Sequence, residues 1–244
     1  MLNIVICELK KFKRMWIPLI IGVFILLRIS TTPINSQVIK DTDALFTWVN
    51  LAMFSYGFLI AINLLIAYVF ILEFKNNTML TMMMYKHERW KVFVGKFITI
   101  TIISLIVYLL EFGILTVIGC ISFKSSLTQE VLIKHLILTL KAFLFQMLMG
   151  TITACIALAS KKITTPVMYI AVQLIASFIF LSEPNVRGFI PFPLPVISNL
   201  MLIKGNYSII KNVSIMPSQL IIAIIMFVGG IIYGCWYTNR IELE

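Results

Sequence analysis

Glu111 is an acidic side chain set deep in an apolar stretch of this sequence, the run from about Phe97 to Phe123. At helical rise it stands on the order of 20 Å from the first residue of that run. A carboxylate in hydrocarbon is costly and faces a protein partner or a polar cavity. Lys141, in the next apolar run, is the cation nearest to it in expected depth. Two readings stand. Either Glu111 lines a path for something that crosses, or Glu111 and Lys141 form a structural pair between adjacent helices. Other candidate chemistry is sparse. His87 and His135 are expected on opposite sides of a membrane and cannot build a two-histidine metal site. Glu111 and His135 are expected too far apart in depth to act together as an intramembrane enzyme. Cys7, Cys120, Cys155 and Cys235 are scattered without a CxxC pair, so neither a disulfide framework nor a metal centre follows. No GxxxxGK[ST] phosphate-binding loop and no GxSxG nucleophile turn occurs. The chain is expected to be no enzyme, with no catalytic residue, metal or cofactor of its own.

The elements that must position Glu111 are membrane helices. Of 244 residues, 60% are hydrophobic and only 12% charged, where a soluble domain carries about 25% charged residues. Mean hydropathy is +1.01. The net charge of +10 does not imply nucleic acid, because the basic residues cluster beside apolar runs as membrane topology requires. Six spans are expected: about 15–29, 45–72, 97–123, 136–159, 167–181 and 220–237, in one transmembrane domain over 1–244. No small-residue cleavage site follows the first run, so it reads as an uncleaved span. Residues 1–14 precede it. Leu2, Val5, Leu9, Phe12 and Trp16 recur on one helix face, with Glu8, Lys11 and Arg14 mostly opposite, the pattern of an interfacial amphipathic helix. Twelve basic residues fall in the predicted inner segments against eight in the outer ones, which places both termini in the cytoplasm.

Two connections are unusual. Residues 73–96 hold Glu73, then Asn77 or Thr78 as a helix cap, then Met79 to Tyr85, an apolar body too short to cross a bilayer. Lys75, Lys86, Arg89, Lys91 and Lys96 surround it. A short surface helix with soft methionine side chains suits a partner's groove. Residues 182–218 form the longest external segment. Pro191-Phe192-Pro193-Leu194-Pro195 cannot sit inside a helix, and the apolar residues around it predict a segment that re-enters the outer leaflet or caps a cavity. Gly230 and Gly234 make a close-packing step in the last span.

This order of elements resembles the permease subunit of a type-2 ABC exporter. It is most similar to the small bacterial permeases of peptide and lantibiotic-immunity exporters. The residues that carry the likeness are Glu73, Asn76-Asn77-Thr78, Met79 to Tyr85, Arg89 and Lys96, between spans two and three, with the long external segment after span five. The family often has a proline before the arginine; this chain has Lys86-His87-Glu88-Arg89. The resemblance implies that the loop helix is a coupling helix, through Met79, Met82, Met83, Tyr85, Lys86 and Arg89. Its groove belongs to a separate ABC ATPase that binds ATP and Mg. It further implies a second permease subunit, alternating access, residence in a bacterial cell membrane, and a hydrophobic or amphipathic peptide as cargo, with roles in antibiotic resistance or immunity. Drug efflux, or a non-transport scaffold or sensor, remains the alternative.

Overall fold

The computed structural model describes residues 2–13, 39, 41–75, 89–123, 126–182, 188–200 and 215–240. Its elements are α1 (Leu2–Lys13), α2 (Thr42–Ala52), a π-helical turn (Met53–Gly57), α3 (Phe58–Lys75), α4 (Arg89–Ser122), α5 (Gln129–Ser160), α6 (Thr164–Ser182), α7 (Leu194–Leu200) and α8 (Pro217–Arg240). No strand occurs among the described residues. Among the described residues five stretches are long and apolar enough to cross a membrane: Thr42–Leu72, Arg89–Ser122, Gln129–Ser160, Thr164–Leu181 and Pro217–Arg240. They correspond to the second to sixth expected spans. The first expected span, 15–29, lies outside the described residues, and so do Met79, Met82, Met83, Tyr85, Lys86 and His87.

Each helix extends past the apolar run that announced it. Hydropathy marks the part that needs lipid, whereas a helix continues until its backbone bonds are capped. Thus α4 starts at Arg89 and not near Phe97, and residues 89–96, interrupted by Arg89, Lys91 and Lys96, form its first turns. The caps are local. Asp41 Oδ1 accepts from the Ala44 amide at 2.8 Å and starts α2. Thr128 caps α5. Pro217 occupies the first position of α8, where its missing N–H costs nothing. Lys161 closes α5 in the left-handed region, at φ 54°.

The long helices alternate in direction. Thr42 bonds Ser126 Oγ and the Phe123 carbonyl, so the start of α2 meets the end of α4. At the opposite end, Lys161 lies 6.0 Å from the Phe74 ring. We refer to these as the Asp43 end and the Lys96 end. The centre of the bundle is the continuous helix α2–π–α3 with α5. Phe46, Asn50, Phe54, Phe58, Ile62, Ile66 and Phe70 follow one another at four-residue steps, and all are buried. The π turn carries the Phe58 amide to the Met53 carbonyl, and Ser55 Oγ donates to the Leu51 carbonyl.

α8 packs on α5 and α4 through its glycines. A β-carbon at Gly230 would meet Thr151 Oγ1 and Cβ at 2.7 and 2.8 Å, and one at Gly234 would collide with the Phe93 ring; Gly229 faces open space. Cys155 Sγ donates to the Gly230 carbonyl at 3.1 Å. Gly230→Val should therefore lower thermal stability by about 1–3 kcal/mol, the usual cost of overpacking. Gly229→Ala should cost nothing or stabilise slightly. Unfolding midpoints of the purified variants check both, and equal midpoints would mean that α8 does not dock through this face.

The segment after α6 turns back into the bundle. Val196 and Ile197 of α7 are buried with Leu181 and packed against Leu51, while the Phe192 ring lies 6.4 Å from that of Tyr169, near the start of α6. Gln219 Nε2 donates to the Ile190 carbonyl at 3.1 Å and Ser218 Oγ to the Gly188 carbonyl at 2.7 Å, tying the head of α8 to the proline segment. Residues 201–214 lie outside the described residues.

Candidate functional site

Among the described residues four groups of polar side chains follow one another from the Lys96 end to the Asp43 end. The first is a charged brace. Lys96 is only 3% exposed. Its Nζ donates to the Val69 carbonyl at 3.3 Å, stands 3.9 Å from Glu8 Oε2 and lies 5.9 Å from the Phe70 ring. Glu8 also pairs with Lys11 at 2.7 Å. One buried ammonium thus joins α1, α3 and α4, the two latter being the helices that flank residues 76–88. This corrects the expected faces of α1. Ile4, Glu8 and Phe12 are buried, Val5 and Leu9 only partly so. Glu8 was expected on the polar face; it turns inward because Lys96 is there to receive it. Arg89 and Trp90 begin α4, both half-buried.

The second group is a closed network. Thr153 Oγ1 donates to Asn63 Oδ1 at 2.9 Å, and Asn63 Nδ2 donates to Gln173 Oε1 at 3.0 Å. Gln173 Nε2 reaches Met149 Sδ at 3.9 Å. All four residues are buried, and the network ties α3, α5 and α6. Buried amides satisfied by one another specify a single packing of those helices.

The third group lies nearer the Asp43 end and differs in kind. Asn50 on α2, Ser104, Tyr108 and Glu111 on α4, and Gln146 on α5 are each at most 1% exposed. None of their side-chain polar atoms has a hydrogen-bond partner among the described residues. Aromatic contacts fix their neighbourhood. Phe46 and Phe54, one turn either side of Asn50, pack on Phe112 and Tyr108, which flank Glu111; their centroids are 5.5 and 6.0 Å apart. Tyr108 also packs on Phe58 at 4.0 Å and on Phe143 at 5.7 Å, and Phe143 is one turn before Gln146. The expected partner of Glu111 is elsewhere. Lys141 is exposed, on the α5 face that carries Ile137, Leu140 and Leu144, so the Glu111–Lys141 pair does not form. The next apolar run does bring Lys141 to a comparable depth, but helical phase turns it outward. Glu111→Ala and Lys141→Ala should therefore be additive, coupling by less than about 0.5 kcal/mol in a double-mutant cycle of unfolding free energies. A larger coupling would restore the pair.

The fourth group caps the bundle. Asp43 Oδ1 accepts from Lys134 Nζ at 2.6 Å and from His135 Nε2 at 2.8 Å. A carboxylate only accepts, so Nε2 carries the proton. The His135 ring stacks on Phe46 at 4.8 Å, and its Nδ1 is buried without a partner among the described residues. A single ring, Phe46, touches both His135 and Phe112, the residue after Glu111. The sequence carried one signal of the third group, since Ser104, Tyr108 and Glu111 follow one another at four- and three-residue steps on one face of α4. Among the described residues no cluster of histidine, cysteine and acidic side chains is arranged to hold a metal ion.

Five membrane-length helices and no strand among the described residues mark a multi-pass membrane protein. A family model described as ABC-2 family transporter protein matches residues 4–182. The chain belongs to that family, as the membrane subunit of an ABC transporter that works with an ABC ATPase subunit. No curated protein matches it.

Proposed function

We propose that this chain is a permease of an ATP-driven exporter that moves hydrophobic or amphipathic peptides, such as a peptide toxin, bacteriocin or lantibiotic, by alternating access. Two such subunits, identical or not, enclose the path, and both termini face the cytoplasm. ATP and Mg bind the ATPase partner; this chain hydrolyses nothing. The observation that carries the reading is the Lys96 brace. Residues 76–88 join α3 to α4, and Lys96 holds both helices and α1 at that end. A push on the loop by an ATPase would therefore reach three elements at once. Glu111, among aromatic rings, suits a path for cargo with apolar and polar parts. The test is co-expression with an ABC ATPase encoded beside the gene. The two should co-purify, and a peptide cargo should stimulate ATP hydrolysis in reconstituted vesicles. An ATPase that never co-purifies counts against the whole reading. Stimulation by small drugs alone counts against peptides.

A further inference from the structure

The Asp43 end of the bundle holds a side-chain cluster that peptide export leaves without a task. Asp43 Oδ1, on the first turn of α2, accepts from two consecutive residues of α5: from Lys134 Nζ at 2.6 Å and from His135 Nε2 at 2.8 Å. The two donors differ in setting. Lys134 and Asp43 are partly exposed, whereas the His135 side chain is fully buried and stacks on Phe46 at 4.8 Å and 19°. Asp43 and His135 stand just before the apolar runs at 45–72 and 136–159, where protons from bulk water reach the carboxylate. Lys134 already balances that carboxylate, so a charged imidazole would be the second cation on one acid. Its added proton would sit on Nδ1, which is buried and has no partner among the described residues. An unpaired donor carrying charge is costly in an interior. Asp43 favours the charged ring, but one oxygen serves both donors. The other ionisable groups on the elements around the ring do not take that proton's bond. Asp41 caps α2, Glu130 is exposed near the start of α5, and Glu111 and Tyr108 belong to α4, whose Phe112 packs on Phe46.

We propose that Asp43, Lys134 and His135 form an acid-released latch: a neutral imidazole fastens α2 to α5 at the Asp43 end, and protonation of the ring parts them. The neighbouring bonds of Thr42 to Ser126 Oγ and the Phe123 carbonyl involve no titratable group. Acid therefore frees α2 from α5 and leaves it on the end of α4. The latch stands on this chain alone, whatever the cargo and whichever side of the membrane this end faces.

The experiment uses the purified full chain with its two histidines labelled with nitrogen-15. His135→Gln keeps a donor near the place of Nε2 and cannot titrate, so it assigns the His135 resonances. At about pH 8 the ring should be the Nε2–H tautomer, with a proton that exchanges slowly with water. Toward about pH 5, across the ordinary imidazole value of about 6.5, the ring should take up a proton and its N–H groups should exchange rapidly. Over the same range the unfolding midpoint of the wild type should fall relative to that of His135→Gln. Each pH unit should lower the wild type's folded-to-unfolded ratio by up to about tenfold, because the unfolded chain binds the proton that the latch refuses. Lys134→Met supplies an independent arm. It leaves Asp43 to His135 alone, so the charged ring gains an unshared partner and the acid-dependent loss should shrink or reverse. Midpoints of wild type and His135→Gln that run parallel with pH overturn the proposal. So does a ring that stays neutral to about pH 5, or one that still exchanges slowly once charged. An undiminished acid loss in Lys134→Met overturns it as well, and that result and the ring's exchange are read without His135→Gln if that variant does not fold.

Discussion

Export should fall to background when Met83 and Tyr85 are both replaced by aspartate, while the permease still inserts and folds. These residues lie at the end of the short apolar body between α3 and α4, outside the described residues, so the expectation comes from the sequence and the family. Docked interfaces draw most of their energy from a few central anchors, each worth about 2 kcal/mol or more. An aspartate at either position loses that burial and buries an unpaired charge. Together the two changes should weaken ATPase binding by about 4 kcal/mol, on the order of a thousandfold. The ATPase would then be lost on purification, or would hydrolyse ATP without export. Reversing the charge of Lys86, expected on the rim, should do much less. Normal peptide export by the double mutant would remove the coupling assignment.

Lys96→Met should destabilise the chain by about 3 kcal/mol, the low end of the cost of removing one partner of a buried ion pair. The low end applies because Glu8 keeps Lys11 and the Glu8–Lys96 separation is 3.9 Å. Adding Glu8→Gln should return part of the loss, since no charge is then left stranded between α1 and α4. Unfolding midpoints of the two single variants and the double variant give the coupling. If Lys96 only fills space, Lys96→Met is neutral and the double variant is no better. The functional consequence is separable: a stable double variant should keep the ATPase bound and yet transmit poorly, because α1, α3 and α4 no longer share a fixed point.

The sequence was most legible where one physical requirement dominated. Helices that must be apolar over a bilayer's thickness are visible without a structure, and α2–α3, α4, α5, α6 and α8 appear where hydropathy placed them. Their ends were not visible, since the first turns of α4, interrupted by Arg89, Lys91 and Lys96, satisfy a backbone requirement that hydropathy does not register. Helical phase was legible only when a stripe was unmixed. On α1 the apolar stripe through Val5, Leu9 and Phe12 competed with the face of Ile4 and Glu8, and the deciding group, Lys96, lies far away in sequence. Lys141 failed for a related reason: depth can be read from one helix, but facing needs two. The partners of Asn63, on α5 and α6, needed the assembled bundle. The π turn had no signature at all in Met53-Phe54-Ser55-Tyr56-Gly57, because its widened hydrogen bond is set by packing on both sides.

That π turn also has a consequence for insertions and deletions. In a regular α-helix a four-residue step overshoots a full turn by about 40°, so the buried series from Phe46 to Phe70 would wind steadily around its own axis. A turn that holds an additional residue takes back part of the winding. It works as a phase adjuster between the half of the helix that packs on Phe112 and His135 and the half that holds Asn63. Inserting one residue in the regular turns beside Met53–Gly57, where no widened bond absorbs it, would rotate α2 by about 100° relative to α3. Phe46 would then leave Phe112 and His135, while the bonds of Asn63 to Gln173 and Thr153 stayed in place. Length changes at this point are therefore worth far more than substitutions, and they separate the two polar centres of the molecule without altering a side chain in either.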